Sequence, residues 1–179
     1  MLILLDRDGV INTDIKPHGT LHPDELTIYE FVPEAIYQLK KAGYHIAVIT
    51  NQSAIEKELM SVSTLTTLHH MIQYHCRSYH KEAYIDAFYY CSDHPDRPTQ
   101  RRKPNAGMIY EALHDFAARP ENTVFVGDSM RDVQAACITG CIPYLVKTGN
   151  GTDTDAMWSG KKPYQSFNTL ADVARALIK

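Results

Sequence analysis

Two aspartates close to the start of the chain are spaced for phosphoryl transfer. Asp6 and Asp8 follow the apolar run Leu2–Leu5, and Gly9 after them allows the chain to turn sharply. A carboxylate can attack phosphorus as a nucleophile, while a second one can protonate the leaving oxygen and later activate water. Residues i and i+2 of an extended chain point to the same side. We predict that Asp6 is the nucleophile and that Asp8 is the general acid and base.

Three residues far along the chain supply what an attacking aspartate needs, although each alone is often only a cap or a surface group. Thr50 offers a hydroxyl to phosphoryl oxygens, and Lys103 offers a positive charge. Asp128 supplies a further carboxylate. Carboxylates repel a phosphate dianion unless a hard cation intervenes, and oxygen ligands with several waters suit Mg²⁺. We predict Mg²⁺ as the cofactor, with Asp6 and Asp128 as its carboxylate ligands.

An alternating pattern of strands and helices positions these groups. Apolar runs predict strands at 2–6, 45–50, 87–90, 123–128 and 143–147. Amphipathic segments predict helices at 31–42, 63–78, 106–116, 132–139 and 170–178. We expect a mobile loop from Gly149 to the last helix. The alternation predicts an α/β fold with a doubly wound, Rossmann-like parallel sheet, whose strands end at one edge and bring Thr50 and Asp128 to Asp6.

The composition is that of an ordinary globular chain. Its 179 residues, 44% hydrophobic and 22% charged, suit one domain over residues 1–179. The net charge of -3 gives no basic excess for nucleic acid, although a local cluster of cations can still bind a small anion. No stretch approaches the roughly 20 apolar residues of a membrane helix, and the first apolar run is too short for a signal peptide. We expect a cytoplasmic monomer that contacts neither nucleic acid nor membrane.

Four motifs, in this order, resemble those of the haloacid dehalogenase superfamily of phosphotransferases. They are Asp6-Arg7-Asp8-Gly9-Val10, Thr50-Asn51, Lys103-Pro104 and Gly127-Asp128-Ser129-Met130-Arg131-Asp132. Within the superfamily, the chain resembles the D-glycero-D-manno-heptose 1,7-bisphosphate 7-phosphatases on the segments 5–12, 50–53, 102–104 and 107–108. The resemblance implies a compact enzyme without a large cap domain, acting on a small phosphorylated sugar. Its product would enter nucleotide-activated heptose synthesis for lipopolysaccharide or capsule.

The resemblance also implies roles at the reacting phosphate. Asp6 would form an aspartyl-phosphate and bind Mg²⁺, and Asp8 would add its backbone carbonyl to the metal site. Asp128 would complete that site. Thr50 and Asn51 would hold the transferring phosphate and order the acid and base.

Four charged residues receive roles beside the reacting phosphate. Lys103 would neutralise charge there. Arg102 and Lys57 would bind the rest of the substrate, including its second phosphate. Asp132 matches the second acid of the last motif, where it would either join the site or only cap the following helix.

The loop of residues 92–102 departs from the pattern of these phosphatases, which often carry a structural zinc loop there. Such loops read Cys-x-His-His-Pro and later Cys-x-Cys before Arg-Lys-Pro. Here Cys91 and His94 remain, Asp93 stands where a ligand histidine would be, and the cysteine pair is absent. A structural zinc needs about four ligands, so we predict that none is bound. We expect prolines and ion pairs to hold the loop instead, the charged residues being Asp93, Asp96, Arg97 and Arg101.

A second departure, in residues 54–58, leaves the choice of substrate open. The family commonly reads Gly-Ile-Ala-Arg-Gly where this chain reads Ala-Ile-Glu-Lys-Glu. Lysine keeps the charge of arginine but loses its two-pronged hydrogen bonding. The alternatives are a histidinol-phosphate phosphatase, from the sister group, and a non-catalytic relative. Ser53 counts against the former, whose members tend to read Asp there, and the complete set of charged catalytic positions counts against the latter.

Overall fold

The computed structural model describes residues 1–178 as a sheet of six parallel strands with six α-helices. The strands are β1 (Leu2–Leu5), β2 (His45–Asn51), β3 (Ala87–Cys91), β4 (Thr123–Gly127), β5 (Ile142–Val146) and β6 (Gln165–Phe167). The helices are α1 (Val32–Lys41), α2 (Val62–Tyr79), α3 (Gly107–Asp115), α4 (Met130–Thr139), α5 (Gly151–Met157) and α6 (Leu170–Leu177). Within residues 1–178, no helix combines the length and apolar character that a membrane crossing requires.

The sheet is doubly wound around its central strand β1. Its strand order is β3-β2-β1-β4-β5-β6, and every neighbouring pair is parallel. Ile3 and Leu5 of β1 pack on one face with α1, α2 and α6. Leu2 and Leu4 pack on the other face with α3 and α4. All four side chains of β1 are therefore buried, as is typical of a parallel strand covered on both faces.

The predicted fold class, a doubly wound parallel sheet without a large cap, is confirmed. Each predicted strand and helix is present, with ends displaced by no more than two residues. The expectation of a mobile loop from Gly149 to the last helix is wrong, because α5 and β6 lie in that segment. Strand β6 has only 3 residues and pairs with β5. Its pairing with β5 stabilises it, since so short a segment has no apolar pattern that would predict a strand.

The carboxyl ends of β1 and β4 form the edge of the sheet where the chain turns toward the site. Leu5 at the end of β1 is in register with Val126 of β4. Gly9 follows with φ of 85°, and a Cβ at this position would lie 2.1 Å from Oδ2 of Asp128. Only glycine fits so close an approach, and its absence of a side chain lets the first loop pack directly on the end of β4.

Candidate active site

Asp6 and Lys103 form a buried ion pair at the centre of the sheet edge. The Nζ of Lys103 lies 2.8 Å from Oδ1 of Asp6 and 2.7 Å from Oδ1 of Asp132. The same ammonium donates a hydrogen bond of 2.8 Å to the carbonyl of Ile49, at the end of β2. The lysine side chain is only 3% exposed. The ends of β1 and β2 and the first turn of α4 therefore meet at the ammonium group of Lys103.

The protonation states around Asp6 reflect this crowding of charge. Burial raises the pKa of Asp6 to about 8, since the attraction of Lys103 only partly offsets burial and the repulsion of Asp132 and Asp128. Burial alone would lower the pKa of Lys103, but the carboxylates of Asp132 and Asp6 raise it above its ordinary value. The lysine is therefore a permanent positive charge, whereas Asp6 needs additional positive charge nearby to ionise fully at neutral pH.

The carboxylates beside Lys103 form a group that fits a hard divalent cation. Oxygens of Asp6, Asp128 and Asp132 all lie within 4.8 Å of one another. Burial, followed by the repulsion of Asp132, raises the pKa of Asp128 to about 6. Asn150 orients Asp128 by donating to its Oδ2 from the backbone N–H at 2.7 Å and from Nδ2 at 3.0 Å.

This donor set is what Mg²⁺ prefers, because it consists of oxygens and carries excess negative charge. Asp6 and Asp128 would hold the ion, since Lys103 and Ser129 already engage the two carboxylate oxygens of Asp132. When bound, Mg²⁺ supplies charge neutralisation to a phosphoryl group and lets both aspartates ionise. The further ligand predicted, the backbone carbonyl of Asp8, stays a prediction.

Asp8 lies in the same cleft, but its carboxylate is held by a different set of donors. Arg7 contacts it from Nε at 3.2 Å and from Nη2, which lies 2.8 Å from each carboxylate oxygen. Asn12 donates to Oδ1 at 2.9 Å, and Gln52 donates to Oδ2 at 3.0 Å. Arg7 is completely buried. These donors fix the orientation of Asp8 more firmly than a single hydrogen bond could.

The same donors decide the charge of Asp8 in the free protein. Burial would raise the pKa of Asp8, but the guanidinium of Arg7 and the hydrogen bonds from Arg7, Asn12 and Gln52 lower it below its ordinary value. Asp8 is therefore ionised at neutral pH. A phosphate dianion in the cleft would act in the opposite direction, since a like charge raises the pKa of a carboxyl group.

Thr50 and Asn51, at the end of β2, have distinct surroundings. The Oγ1 of Thr50 accepts a hydrogen bond of 2.8 Å from Gln52, so its own proton is free for an acceptor in the cleft. The side chain of Asn51 is paired with the backbone of Lys103: its Oδ1 accepts from the N–H at 3.1 Å, and its Nδ2 donates to the carbonyl at 3.0 Å. Thr50 is thus placed to bind a phosphoryl oxygen, while Asn51 fixes the lysine loop to β2.

Asp132 combines the two roles that the sequence left open. Its Oδ2 accepts from the backbone N–H of Ser129 at 3.0 Å and from the Ser129 hydroxyl at 2.5 Å, which caps the start of α4. Its Oδ1 pairs with Lys103, as described above. Asp132 therefore couples the start of α4 to the charged centre.

The rim of the cleft carries three cations. The cleft has a volume of about 250 Å³, and Lys57, Arg102 and Arg131 line it together with the aspartates. Arg102 is 7% exposed and donates a hydrogen bond of 2.8 Å to the carbonyl of Asp93. Burial, and then the repulsion of Arg131, lowers the pKa of Arg102. None of the three cations pairs with a carboxylate among residues 1–178, so they leave positive charge available to an anion.

The loop 92–102 is held, but not by the ion pairs expected among its own charges. Arg97 pairs with Glu56 at 2.7 Å, and Arg101 pairs with Glu111 of α3 at 2.8 Å. Asp93 instead accepts a hydrogen bond of 2.7 Å from the backbone N–H of Thr99. The expectation of pairing between the aspartates and arginines of the loop is therefore wrong, because the arginines reach carboxylates outside it.

Several residues of the site were missed at the level of the sequence. Arg7, Asn12 and Gln52 lay inside the quoted motifs, and their types as side-chain donors were the only signal of a role. Arg131 lay inside the last motif, and its place on the rim requires the position of α4. Asn150 lay in the segment expected to be a loop, and no pattern marked it.

Comparison with known families supports the motif assignment over most of the chain. A model described as haloacid dehalogenase-like hydrolase matches residues 5–136. A second model, of HAD-like hydrolases, matches residues 100–173. The matched ranges together contain every residue placed in the cleft above.

Individual relatives match along their full length. A D-glycero-beta-D-manno-heptose-1,7-bisphosphate 7-phosphatase of Pseudomonas putida is 37% identical over 99% of this chain and 99% of its own. Its namesake from Bordetella bronchiseptica is 34% identical over 99% of this chain and 98% of its own. The crystal structure of D,D-heptose 1,7-bisphosphate phosphatase from B. bronchiseptica, complexed with magnesium and phosphate, superposes with a TM-score of 0.92 at 34% identity, over 99% of this chain and 97% of that one.

Proposed function

The chain belongs to the haloacid dehalogenase-like hydrolases, and we propose that it is a Mg²⁺-dependent phosphatase that removes the 7-phosphate of D-glycero-D-manno-heptose 1,7-bisphosphate. The observation that carries the proposal is the division of charge within one cleft. Asp6, Lys103 and Asp128 lie together at the bottom of the cleft, which we call its floor. The cations Lys57, Arg102 and Arg131 lie at its rim. The product would serve nucleotide-activated heptose synthesis for lipopolysaccharide or capsule.

The floor of the cleft supports hydrolysis in two steps. The carboxylate of Asp6 attacks phosphorus, an O–P bond forms, the bond to the sugar oxygen breaks, and Asp8 gives that oxygen a proton. Asp8 then takes a proton from water, which attacks phosphorus and releases inorganic phosphate from Asp6. The hydroxyl of Thr50 donates to a phosphoryl oxygen, and the positive charge of Lys103 neutralises the charge that develops beside Asp6. The proposal that Asp8 first donates a proton is supported by the effect of phosphate on it, because a nearby dianion raises the pKa of a carboxyl group.

The rim cations support a substrate with a second phosphate. A buried guanidinium without a carboxylate partner carries a desolvation cost that a bound anion removes. Arg102 is in this situation, with Arg131 close enough to lower its pKa and Lys57 on the same cleft. Histidinol phosphate carries an amine, which the positive rim would repel. We therefore place the 1-phosphate at Arg102, Arg131 and Lys57.

A substrate panel tests the function. The α and β anomers of the heptose bisphosphate, fructose 1,6-bisphosphate and histidinol phosphate are compared by kcat/KM with Mg²⁺ present. We expect a heptose bisphosphate to be preferred by at least about tenfold, which corresponds to one good hydrogen bond to a charged group. The relatives are named for the β anomer, so we propose β as the preferred form. Turnover of histidinol phosphate above both heptose anomers would overturn the proposal.

The remaining predictions about the chain as a whole stay predictions. They are that residues 1–179 act as one domain, that the chain is a monomer, that it does not bind nucleic acid, and that it acts in the cytoplasm. Light scattering tests the second directly, since a monomer has a mass of 20.3 kDa. A mass of twice this value would contradict it.

A further inference from the structure

Glu56 connects the two loops that border the cleft rim. It lies in the loop 54–58 and reaches across to the loop 92–102. Its Oε2 accepts a hydrogen bond from the backbone N–H of His94, and its Oε1 lies 2.7 Å from Nη2 of Arg97. The Glu56 side chain is 34% exposed. One carboxylate thus binds both the main chain and a side chain of the facing loop.

Each of the connected loops carries one cation of the rim. Lys57 is the next residue after Glu56, and Arg102 ends the other loop. Arg102 is tied to that loop through its hydrogen bond of 2.8 Å to the carbonyl of Asp93, which directly precedes His94. Glu56 therefore links Lys57, its neighbour in sequence, to the segment of the facing loop that Arg102 contacts.

We propose that Glu56 is a positioning residue that holds Lys57 and Arg102 at the spacing required by the second phosphate. The inference rests on the proposed function and assigns the affinity for the 1-phosphate to a residue outside the cleft. An exposed ion pair such as that with Arg97 contributes little by itself. The hydrogen bond to the His94 N–H is charge-assisted and restrains the backbone of the loop. A loop ordered before binding loses less entropy when the substrate arrives.

The test compares Glu56→Ala with Glu58→Ala, which removes the same charge from an exposed position of the same loop. We expect Glu56→Ala to raise KM for the heptose bisphosphate by about tenfold, as for the loss of one hydrogen bond to a charged group. Its kcat should change by less than about twofold, because the floor of the cleft is untouched. KM for p-nitrophenyl phosphate, which has one phosphate only, should not change. An equal rise of KM in Glu58→Ala would overturn the proposal, since it would indicate a general effect of charge.

Hydrogen exchange separates this inference from the proposed function. The amide of His94 should exchange faster in Glu56→Ala than in the wild type or Glu58→Ala, whatever the substrate. Unchanged exchange would show that the contact does not hold the loop, and faster exchange with unchanged KM would show that it does not position the cations. Either result overturns the inference alone. A wild-type protein that does not prefer a bisphosphate in the substrate panel overturns the proposed function instead, and the assignment of affinity to Glu56 with it.

Discussion

At the floor of the cleft, Lys103 has three oxygen partners within 2.8 Å, whereas at the rim Arg102 has one hydrogen-bond partner among residues 1–178, a backbone carbonyl. Asp8 at the floor is likewise surrounded by donors from Arg7, Asn12 and Gln52. The floor is organised before any substrate arrives, and preorganised charge is the form of electrostatic stabilisation that accelerates a reaction. The rim is left with unpaired positive charge, which a substrate anion can satisfy. Chemistry and substrate choice therefore reside in separable parts of one cleft.

The largest effect is expected at the floor. Asp6→Asn should lower kcat by at least about a thousandfold, because a neutral amide cannot form the acyl phosphate. In metal-free protein its melting temperature should equal or exceed that of the wild type, since the change removes a carboxylate repelled by Asp128 and Asp132. Phosphate release and calorimetry measure the two quantities, with the exposed Asp24→Asn as control. Activity within tenfold of the wild type would dismiss the aspartyl-phosphate mechanism.

At the rim the effect should be smaller and should depend on the substrate. Arg102→Met should raise KM for the heptose bisphosphate by roughly 10- to 100-fold, the range expected for hydrogen bonds to a charged group. Hydrolysis of p-nitrophenyl phosphate should be unaffected. Arg77→Met, on the surface of α2, is the matched control. An equal loss of activity toward both substrates would show that the floor and the rim do not act separately.

A third change tests the support of the metal ligand. Asn150→Ala removes the hydrogen bond from Nδ2 to Asp128, leaves the one from the backbone N–H, and should raise the Mg²⁺ concentration for half-maximal activity by about tenfold. At saturating Mg²⁺, kcat should recover to within a few-fold, because the nucleophile is intact. Metal titrations of activity measure both values, with Asn122→Ala as a distant control. A loss of kcat that Mg²⁺ does not restore would place Asn150 in the reaction itself.

The affinity of the floor for Mg²⁺ should depend on pH. The pKa of Asp6 is raised to about 8 and that of Asp128 to about 6, so the metal-free protein holds protons there that Mg²⁺ must displace. The apparent Mg²⁺ dissociation constant should therefore fall by up to about tenfold per pH unit between pH 6 and 8. The raised pKa of Asp6 stabilises the folded metal-free protein at low pH, and this contribution is lost as the pH rises through about 8.

Calorimetric titration at pH 6, 7 and 8 measures this dependence. Mg²⁺ should accordingly raise the melting temperature more at pH 8 than at pH 6. The Asp6→Asn variant, which lacks the group with the higher pKa, should show a flatter dependence. A dissociation constant that is independent of pH would contradict the assignment of Asp6 as a ligand.

The smallest effect concerns the loop 92–102, where we predict no structural zinc. Metal analysis of protein purified without added metal should find far less than one zinc per chain, because Cys91 and His94 supply only two of about four ligands. About one zinc per chain would refute the prediction. A bound zinc would also mean that Glu56 is not what orders the loop 92–102, since the metal would hold the same loop.

The sequence by itself was sufficient for the fold class and for the floor of the cleft. The apolar runs of β1, β2 and β4 predict buried parallel strands, and parallel strands end at one edge whatever the length of chain between them. The meeting of Asp6, Thr50 and Asp128 follows from that rule, whereas Lys103 reaches them from the loop between β3 and α3. Their chemical types then predict the reaction, and the relatives named above support it.

The partners that satisfy the charges depend on how the loops pack in three dimensions. Nothing in the pattern distinguishes Asn150 from any other loop residue, and its contact with Asp128 depends on the path of the turn between β5 and α5 rather than on a periodic signal. The partners of Glu56 lie 38 and 41 residues away in an irregular loop. Periodicity reports which face of an element is buried. It contains no information on the direction of a polar side chain in a loop, which is set by the few donors and acceptors that packing leaves within reach.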